Sequence, residues 1–389
     1  MLAAGNGDGK KGSSVTTTTS EAWQTAWQPM IDAVGRDFSG GIKQQAVEEV
    51  ERTGIRRYCE PLEFDCPLHY DDAVAKRHGY RGIVAPFSGI TQTWINDGLW
   101  RPGDATLYPA ADPNKNARHN IKRRNDAPEP PQPPTSAAFA TDIEIEYFEP
   151  VCVGDRLTAS GRRLLSVLPK ETSVGRGAFI QWEREVHNQR GELVAQIRNG
   201  GYNYVPFERP AQAQAGSNVA PRPQGPIMEP IPAPHAAGID VRPADWGAQR
   251  YFEDVHEGDA VPPIIFNMTV YRLVVEAGAN RDFEPIHHNT PYTQASGAPD
   301  MYANNVFIQG MWERTVREYI GLAGRLKKTG PFRMKIFNTV GEAVVTKGTV
   351  KRKWQEGAEH LVELEIWSEH SRGVSVGPGP VVVSLPSRG

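Results

Sequence analysis

The spacing of hydrophobic residues along this chain predicts helices followed by strands, twice over. Between residues 139 and 205, apolar positions such as Ile143, Ile145 and Tyr147 alternate with polar ones, as in strands with one buried face. Helices before antiparallel strands indicate an α+β unit. Four earlier segments have apolar residues at helical spacing: residues 21–34, 47–62, 72–78 and 89–99.

The second round has the same order. A strand at residues 264–270 and a helix at 270–279 are predicted before a longer helix at 305–320. The chain is therefore an imperfect internal repeat. Four strands are predicted to follow the longer helix: residues 333–338, 341–353, 358–369 and 374–385.

Composition marks the boundaries between these units. Residues 1–20 are rich in Gly, Ser and Thr and predict a disordered tail. The first unit, 21–205, carries an insertion at 100–136 that is dense in Pro, Asn and charge. A Pro- and Ala-rich linker at 206–250 leads to the second unit, 251–389.

Charge and composition exclude several classes of partner. The net charge of the 389 residues is −3, so no global field favours nucleic acid or an acidic membrane. The basic run at 115–124 lacks interleaved aromatic residues and is interpreted as a solvated loop. No run of 18 apolar residues predicts a membrane span, and the tail has no apolar core typical of a secretory signal. We expect a cytoplasmic protein whose three cysteines, Cys59, Cys66 and Cys152, are reduced thiols.

The segment with the clearest chemistry contains Asp282 and His287. Pro285 between them is incompatible with an unbroken helix, so both side chains lie on a bend. A carboxylate and an imidazole that converge on one water form a general acid/base pair. The alternative is an aspartate that caps a helix beside a surface histidine. His288 is adjacent, but no third ligand has a metal-site spacing, so no metal is expected.

This bend resembles the hydratase motif of the MaoC-like, R-specific enoyl-CoA hydratase and dehydratase family. The family pattern is Asp, four residues, then His, usually with Asn-Pro inside it. Asp282, Pro285 and His287 match, whereas Glu284 replaces the usual Asn. Residues 307–311 resemble the start of the family's long central helix, where Gly310 matches a glycine of the first turn.

The resemblance covers residues 40–205 and 250–385 and implies a double hot-dog fold. In that fold two antiparallel sheets are each wrapped around a long central helix. The first half repeats the bend at Pro67-Leu68-His69, but Phe64 fills the Asp position, with Glu63 and Asp65 each one residue out of place. The resemblance therefore implies a first half without catalytic activity.

The implied activity is that of a hydro-lyase, which interconverts a trans-2-enoyl-CoA and an (R)-3-hydroxyacyl-CoA. Asp282 and His287 would hold the water, and the N–H of Gly310 at a helix N-terminus would stabilise the thioester oxyanion. Glu284 would contact the water or the histidine.

Other residues are expected to bind substrate. Tyr302 and Asn304 would line the acyl tunnel, although Asn304 is equally suited to cap the central helix. Pro86 and Phe87 would line an apolar pocket in the first half, which would make room for a bulky or branched acyl group.

Two other functions remain open from sequence. One alternative is a non-catalytic subunit that binds acyl thioesters or a partner, which Glu284 and Phe64 both favour. The other, less favoured, is a hot-dog thioesterase. No cofactor is expected, because coenzyme A is part of the substrate. Trp23 and Trp27 have helical spacing and indicate core packing or a homodimer.

Overall fold

The described part of the chain folds around one continuous antiparallel sheet of ten strands. The structure, a computed structural model, describes residues 19–96, 98–108, 111, 126–207, 236, 239, 243–295 and 297–389. The order of strands across the sheet is β1-β3-β4-β5-β2-β7-β10-β9-β8-β6. The strands are β1 Lys43–Gln45, β2 Ala137–Tyr147, β3 Thr158–Thr172, β4 Gly175–His187, β5 Leu193–Pro206, β6 Ala260–Asn267, β7 Arg325–Arg333, β8 Ala343–Glu356, β9 Glu359–His370 and β10 Gly373–Ser384.

The two halves of the chain meet inside this sheet. Strands β1 to β5 belong to the first half and β6 to β10 to the second, and β2 pairs with β7 across the boundary. Ile143 lies opposite Phe332, and Ile145 opposite Thr329. The expected two sheets are therefore halves of one sheet, since this pairing leaves neither β2 nor β7 with a free edge.

Helices cover the inner face of the sheet. Helix α7, as predicted, runs from Asn305 to Ile320, and most of its side chains are buried, including Trp312, Phe307 and Met311. No helix among the described residues is long and apolar enough to cross a membrane. The α-helices are α1 Thr19–Thr25, α2 Gln28–Ile31, α3 Arg52–Cys59, α4 Asp72–Arg77, α5 Val270–Asn280, α6 Thr290–Ala295 and α7 Asn305–Ile320.

The long helix predicted at residues 89–99 is wrong. Two short 3-10 helices, Phe87–Thr91 and Thr93–Ile95, take its place. The Trp94 side chain folds back over this turn, and its indole donates a 2.7 Å hydrogen bond to the carbonyl of Pro86. The same indole lies against Gly89, where any Cβ would be 2.4 Å from Nε1. In the part of the first half that the structure describes, there is therefore no counterpart of α7.

Two other predicted elements differ from the structure. The helix at 21–34 is two short helices, and Trp27 packs inside this chain with Met30 and Leu164 rather than on an exposed face. The strand predicted at 333–338 lies earlier in the chain, where β7 ends at Arg333. Lys327 and Lys328, adjacent in β7, interrupt the alternation of apolar and polar residues that identifies a strand. Of the regions predicted from composition, residues 1–18 of the tail, residues 109–110 and 112–125 of the insertion, and most of the linker lie outside the described residues.

Candidate active site

The bend that carries Asp282 and His287 follows directly from how α5 ends. Thr269 caps the start of α5 by accepting the N–H of Arg272, and Arg281 ends it in the left-handed conformation at φ 60°. Pro285 then opens the 3-10 helix Pro285–His287. Because proline suits the first position of a helical turn but not its interior, the chain reverses here and faces His287 towards Asp282.

The side chains of Asp282 and His287 face each other across a short gap. His287 Nε2 lies 3.6 Å from Asp282 Oδ2, too far for a direct hydrogen bond but close enough for both atoms to contact a third group. His287 Nδ1 is 2.8 Å from the carbonyl oxygen of Tyr302. Since a carbonyl only accepts, Nδ1 carries a proton, and Nε2 is the ring atom that faces Asp282.

A buried acid connects this bend to the start of α7. Glu276 is fully buried; one carboxyl oxygen accepts the N–H of Asn304 and the other the side chain of Asn280. Burial first, and then the charge of Asp282, raises the pKa of Glu276 well above its ordinary value. Glu276 therefore ties α5 to the start of α7. Sequence reasoning missed it, although a glutamate on the face of α5 that holds Leu273 was a signal.

Asn304 is the cap of α7. Its side-chain oxygen accepts the N–H of Phe307 at 2.8 Å and also a hydrogen bond from Asn280. It is fully buried, which favours the capping interpretation over a place in an acyl tunnel. Tyr302 contributes its carbonyl to His287 and packs its ring edge-on against the imidazole at 5.4 Å.

Gly310 is not at the helix N-terminus. It is the sixth residue of α7, so its N–H lies within the helical ladder and is not an oxyanion donor there. A Cβ at this position would lie 2.7 Å from Leu62 and 3.2 Å from the hydroxyl of Tyr58. The glycine instead allows the first half to approach α7 closely.

Asp282 opens into a cavity of about 360 Å³ between the two halves. Arg281, Asp282 and Glu284 line it from the second half. Its first-half wall consists of Gln44, Thr91, Gln92, Ile95, Asn96 and Arg184.

Pro86 and Phe87 lie elsewhere. Phe87 is buried against Tyr147, and its backbone N–H donates to Glu313 of α7 at 2.8 Å. The same carboxylate accepts the N–H and the hydroxyl of Ser88. The expected apolar pocket is therefore not part of the cavity at Asp282, because Glu313 binds this turn from within.

The first half contains the same bend without the acid. The 3-10 helix Pro67–His69 places Nδ1 of His69 2.7 Å from the carbonyl of Val84, as in the second half. Phe64 packs on the imidazole with ring centroids 4.8 Å apart. Among the described residues no group bonds to His69 Nε2, and burial lowers the pKa of His69 to about 3.

Comparison with known proteins agrees with the resemblance seen in the sequence. A family model described as the FAS1-like dehydratase domain region matches residues 111–197. A probable enoyl-CoA hydratase alpha subunit of Thermomonospora curvata is 27% identical over 191 residues, 49% of this chain and 55% of that protein. The 3-oxo-4,17-pregnadiene-20-carboxyl-CoA hydratase alpha subunit of Mycobacterium tuberculosis is 25% identical over 296 residues, 75% of this chain and 85% of that protein. The chain thus spans about half the length of the first of these relatives.

Solved structures share the fold. A MaoC-like dehydratase superposes with a TM-score of 0.61 at 18% identity and covers 92% of this chain and 100% of its own. A Mycobacterium tuberculosis protein with a double hot-dog fold gives a TM-score of 0.52 at 10% identity, covering 92% of this chain and 97% of its own. These likenesses show that the chain has the double hot-dog fold.

Proposed function

We propose that this chain is a hydro-lyase that adds water reversibly to a trans-2-enoyl thioester of coenzyme A. The observation that carries the proposal is the pair Asp282 and His287, whose facing atoms are 3.6 Å apart beside a cavity of about 360 Å³. That volume lies within the range of about 300–1,000 Å³ typical of small-molecule sites. The names of both relatives, enoyl-CoA and pregnadiene-carboxyl-CoA hydratase subunits, support the same reaction class.

The pair is suited to the proton transfers of hydration. The oxygen of water bonds to C3 of the enoyl group while one water proton passes to the pair, and a proton from the pair goes to C2. His287 begins this exchange with a free lone pair on Nε2, because Tyr302 holds the Nδ1 proton. The pair ends with the number of protons with which it began, so no cofactor is needed.

The thioester oxygen gains negative charge in this reaction and needs a donor other than Gly310. The first turn of α7 is the candidate, because the N–H groups at the start of a helix lack partners within it. Asn304 and Phe307 already donate to Glu276 and to the Asn304 side chain. The N–H groups of Asn305 and Val306 are therefore the proposed oxyanion donors.

Other features of the proposal depend on the family resemblance. The (R) configuration of the hydroxyacyl product is carried over from it. The alpha-subunit names of both relatives support assembly with another chain, and a homodimer stays a prediction. A bulky acyl group has less support, since Pro86 and Phe87 lie away from the cavity.

The test is loss of the enoyl-thioester absorbance on mixing with crotonyl-CoA. We expect the wild-type protein to turn over the chromophore and Asp282→Asn to lower kcat by roughly 10²–10⁴-fold, as for removal of a general acid/base. The thioester should still bind to the variant. Binding by the wild-type protein with no change in absorbance would instead identify a non-catalytic subunit, and release of free thiol would identify a thioesterase.

A further inference from the structure

Arg184 occupies a position where the strand pattern calls for an apolar side chain. On β4 it alternates in step with Ile180 and Val186, which are buried on the inner face of the sheet. Its partner on β5 is Ile197, itself buried, and paired residues of an antiparallel sheet point to the same side. Arg184 therefore places a cation on the core-facing side of the first half.

This cation has no counter-ion within the described part of the chain. Its guanidinium donates one hydrogen bond, 2.6 Å long, to the carbonyl of Thr91, and no described carboxylate lies within ion-pair distance. A guanidinium carries five N–H donors, so most of them remain available. Burial lowers the pKa of Arg184, which indicates that the charge is held out of water without compensation.

The available donors border the cavity at Asp282. Arg184 and Thr91 both line that cavity, and the Thr91 hydroxyl is a buried polar atom for which no described residue supplies a hydrogen bond. Only Ile95 and Phe283 are apolar among the lining residues. The wall opposite Asp282 is therefore built for a polar, negatively charged group rather than for a hydrocarbon chain.

We infer that Arg184 binds a carboxylate at the far end of the acyl chain, so that the substrate is a thioester of a short dicarboxylic enoic acid. This inference rests on the proposed hydratase function and names its substrate class. A carboxylate matches the planar guanidinium through two parallel hydrogen bonds. The Thr91 hydroxyl supplies a further donor.

A phosphate of coenzyme A is the other source of negative charge, and the size of the cavity argues against it. Arg184 and Asp282 line one small cavity, so a group held by Arg184 lies within the length of a short acyl chain from the reacting carbons. The phosphates of coenzyme A are separated from the thioester by the whole pantetheine arm. Arg184 therefore fits the acyl end.

The experiment compares the CoA monothioester of trans-2-hexenedioic acid with its methyl ester at the far carboxyl. For the wild-type protein we expect kcat/KM to be roughly 10²-fold higher for the free acid, the scale of a charged hydrogen-bonded contact. Arg184→Met should lose this preference and leave the methyl ester unchanged. Arg184→Lys should keep part of it, and it serves as the test if the methionine variant does not fold.

Arg198→Met is the matched control, because Arg198 lies on the neighbouring strand and pairs with Glu144, Glu146 and Glu183 outside the cavity. Its preference for the free acid should equal that of the wild-type protein. Equal kcat/KM for acid and ester in the wild-type protein would overturn the inference. A second result would also overturn the inference. If Arg184→Met lowers kcat/KM equally for the acid and the ester as CoA thioesters, but not as N-acetylcysteamine thioesters, Arg184 binds a coenzyme phosphate instead.

A binding measurement separates this inference from the hydratase proposal. Adipoyl-CoA is saturated and cannot be hydrated, so calorimetry with it and its methyl ester reports recognition alone. Tighter binding of the acid that Arg184→Met abolishes supports the carboxylate site even if no enoyl thioester is turned over. Equal binding of both compounds would reject the site even if hydration is observed.

Discussion

The two halves of this protein contain the same bend with different chemistry. In each, a residue with positive φ, Glu63 or Arg281, stands just before Phe64 or Asp282, and a Pro-x-His 3-10 helix follows. Each histidine bonds through Nδ1 to a carbonyl fifteen residues further on. The difference is that His287 faces a carboxylate, whereas His69 faces the ring of Phe64.

This comparison shows that the backbone sets the orientation of the histidine ring in both halves. A single neighbouring side chain, Asp282 or Phe64, determines whether Nε2 has a partner for proton transfer. The Nδ1 contact sets the same tautomer in both halves, so Nε2 is the variable atom. In the second half it faces Asp282, which lines the cavity; in the first half it is buried beside Phe64. We interpret the first bend as a structural element that keeps the geometry of an active site without its acid.

The two halves also differ in how the first turn of the helix α7, or of its counterpart Phe87–Thr91, is capped. Helix α7 is capped by its own Asn304 and by Glu276 of the same half. The corresponding turn in the first half, Phe87–Thr91, has no cap of its own and donates to Glu313 from the second half. The first half thus depends on the second to satisfy its backbone.

Replacing Glu313 should show this dependence most strongly. Glu313→Leu leaves the N–H groups of Phe87 and Ser88 buried without an acceptor, so we expect a loss of about 3–5 kcal/mol in the free energy of unfolding. Chemical denaturation measures it. Glu318→Leu on the same helix removes a pair with Arg314, whose side chain and that of Glu318 are 16% and 13% exposed, but among the described residues it deprives no backbone N–H of an acceptor, so it should cost less than Glu313→Leu. Equal losses in the two variants would break the comparison.

A smaller effect is expected from the pH dependence of His69. The pKa of His69 is about 3 in the folded protein and about 6.5 when unfolded, so the unfolded state binds more protons between these values and stability decreases as the pH is lowered. At pH 5 the loss attributable to His69 should be about 2 kcal/mol relative to pH above 7. This loss of stability at pH 5 should be absent from the variant His69→Gln.

His256, which is largely exposed, provides the control for this measurement. The variant His256→Gln should retain the pH dependence of the wild-type protein. If His69→Gln loses as much stability between pH 7.5 and pH 5 as the wild-type protein does, His69 is not buried in its neutral form and the comparison of the two bends fails.

Much of the fold could be predicted because its elements obey local rules. The boundaries of α7 follow from the Asn304 cap and the apolar spacing after it, and the bend at Pro285 follows from proline geometry. The replacement of aspartate by Phe64 was visible in the sequence alone. These features depend on neighbours in the chain, which a sequence displays directly.

The rest depends on contacts between distant residues. Residues 89–99 have helical spacing, yet the Trp94 indole takes the Pro86 carbonyl and a long helix does not form. The pairing of β2 with β7 joins two sheets into one, and no local pattern specifies it. Arg184 and Gln92 reach the cavity only through the packing of one half against the other.

The most direct test of the account is the turnover number of two matched variants, His287→Gln and His69→Gln, on one enoyl-CoA in one assay. The account predicts that kcat falls by roughly 10²–10⁴-fold for His287→Gln. For His69→Gln it should stay within about twofold of the wild-type value, because a buried histidine that faces a phenyl ring has no part in proton transfer. A comparable loss of kcat in both variants, or an unchanged kcat in His287→Gln, would contradict it.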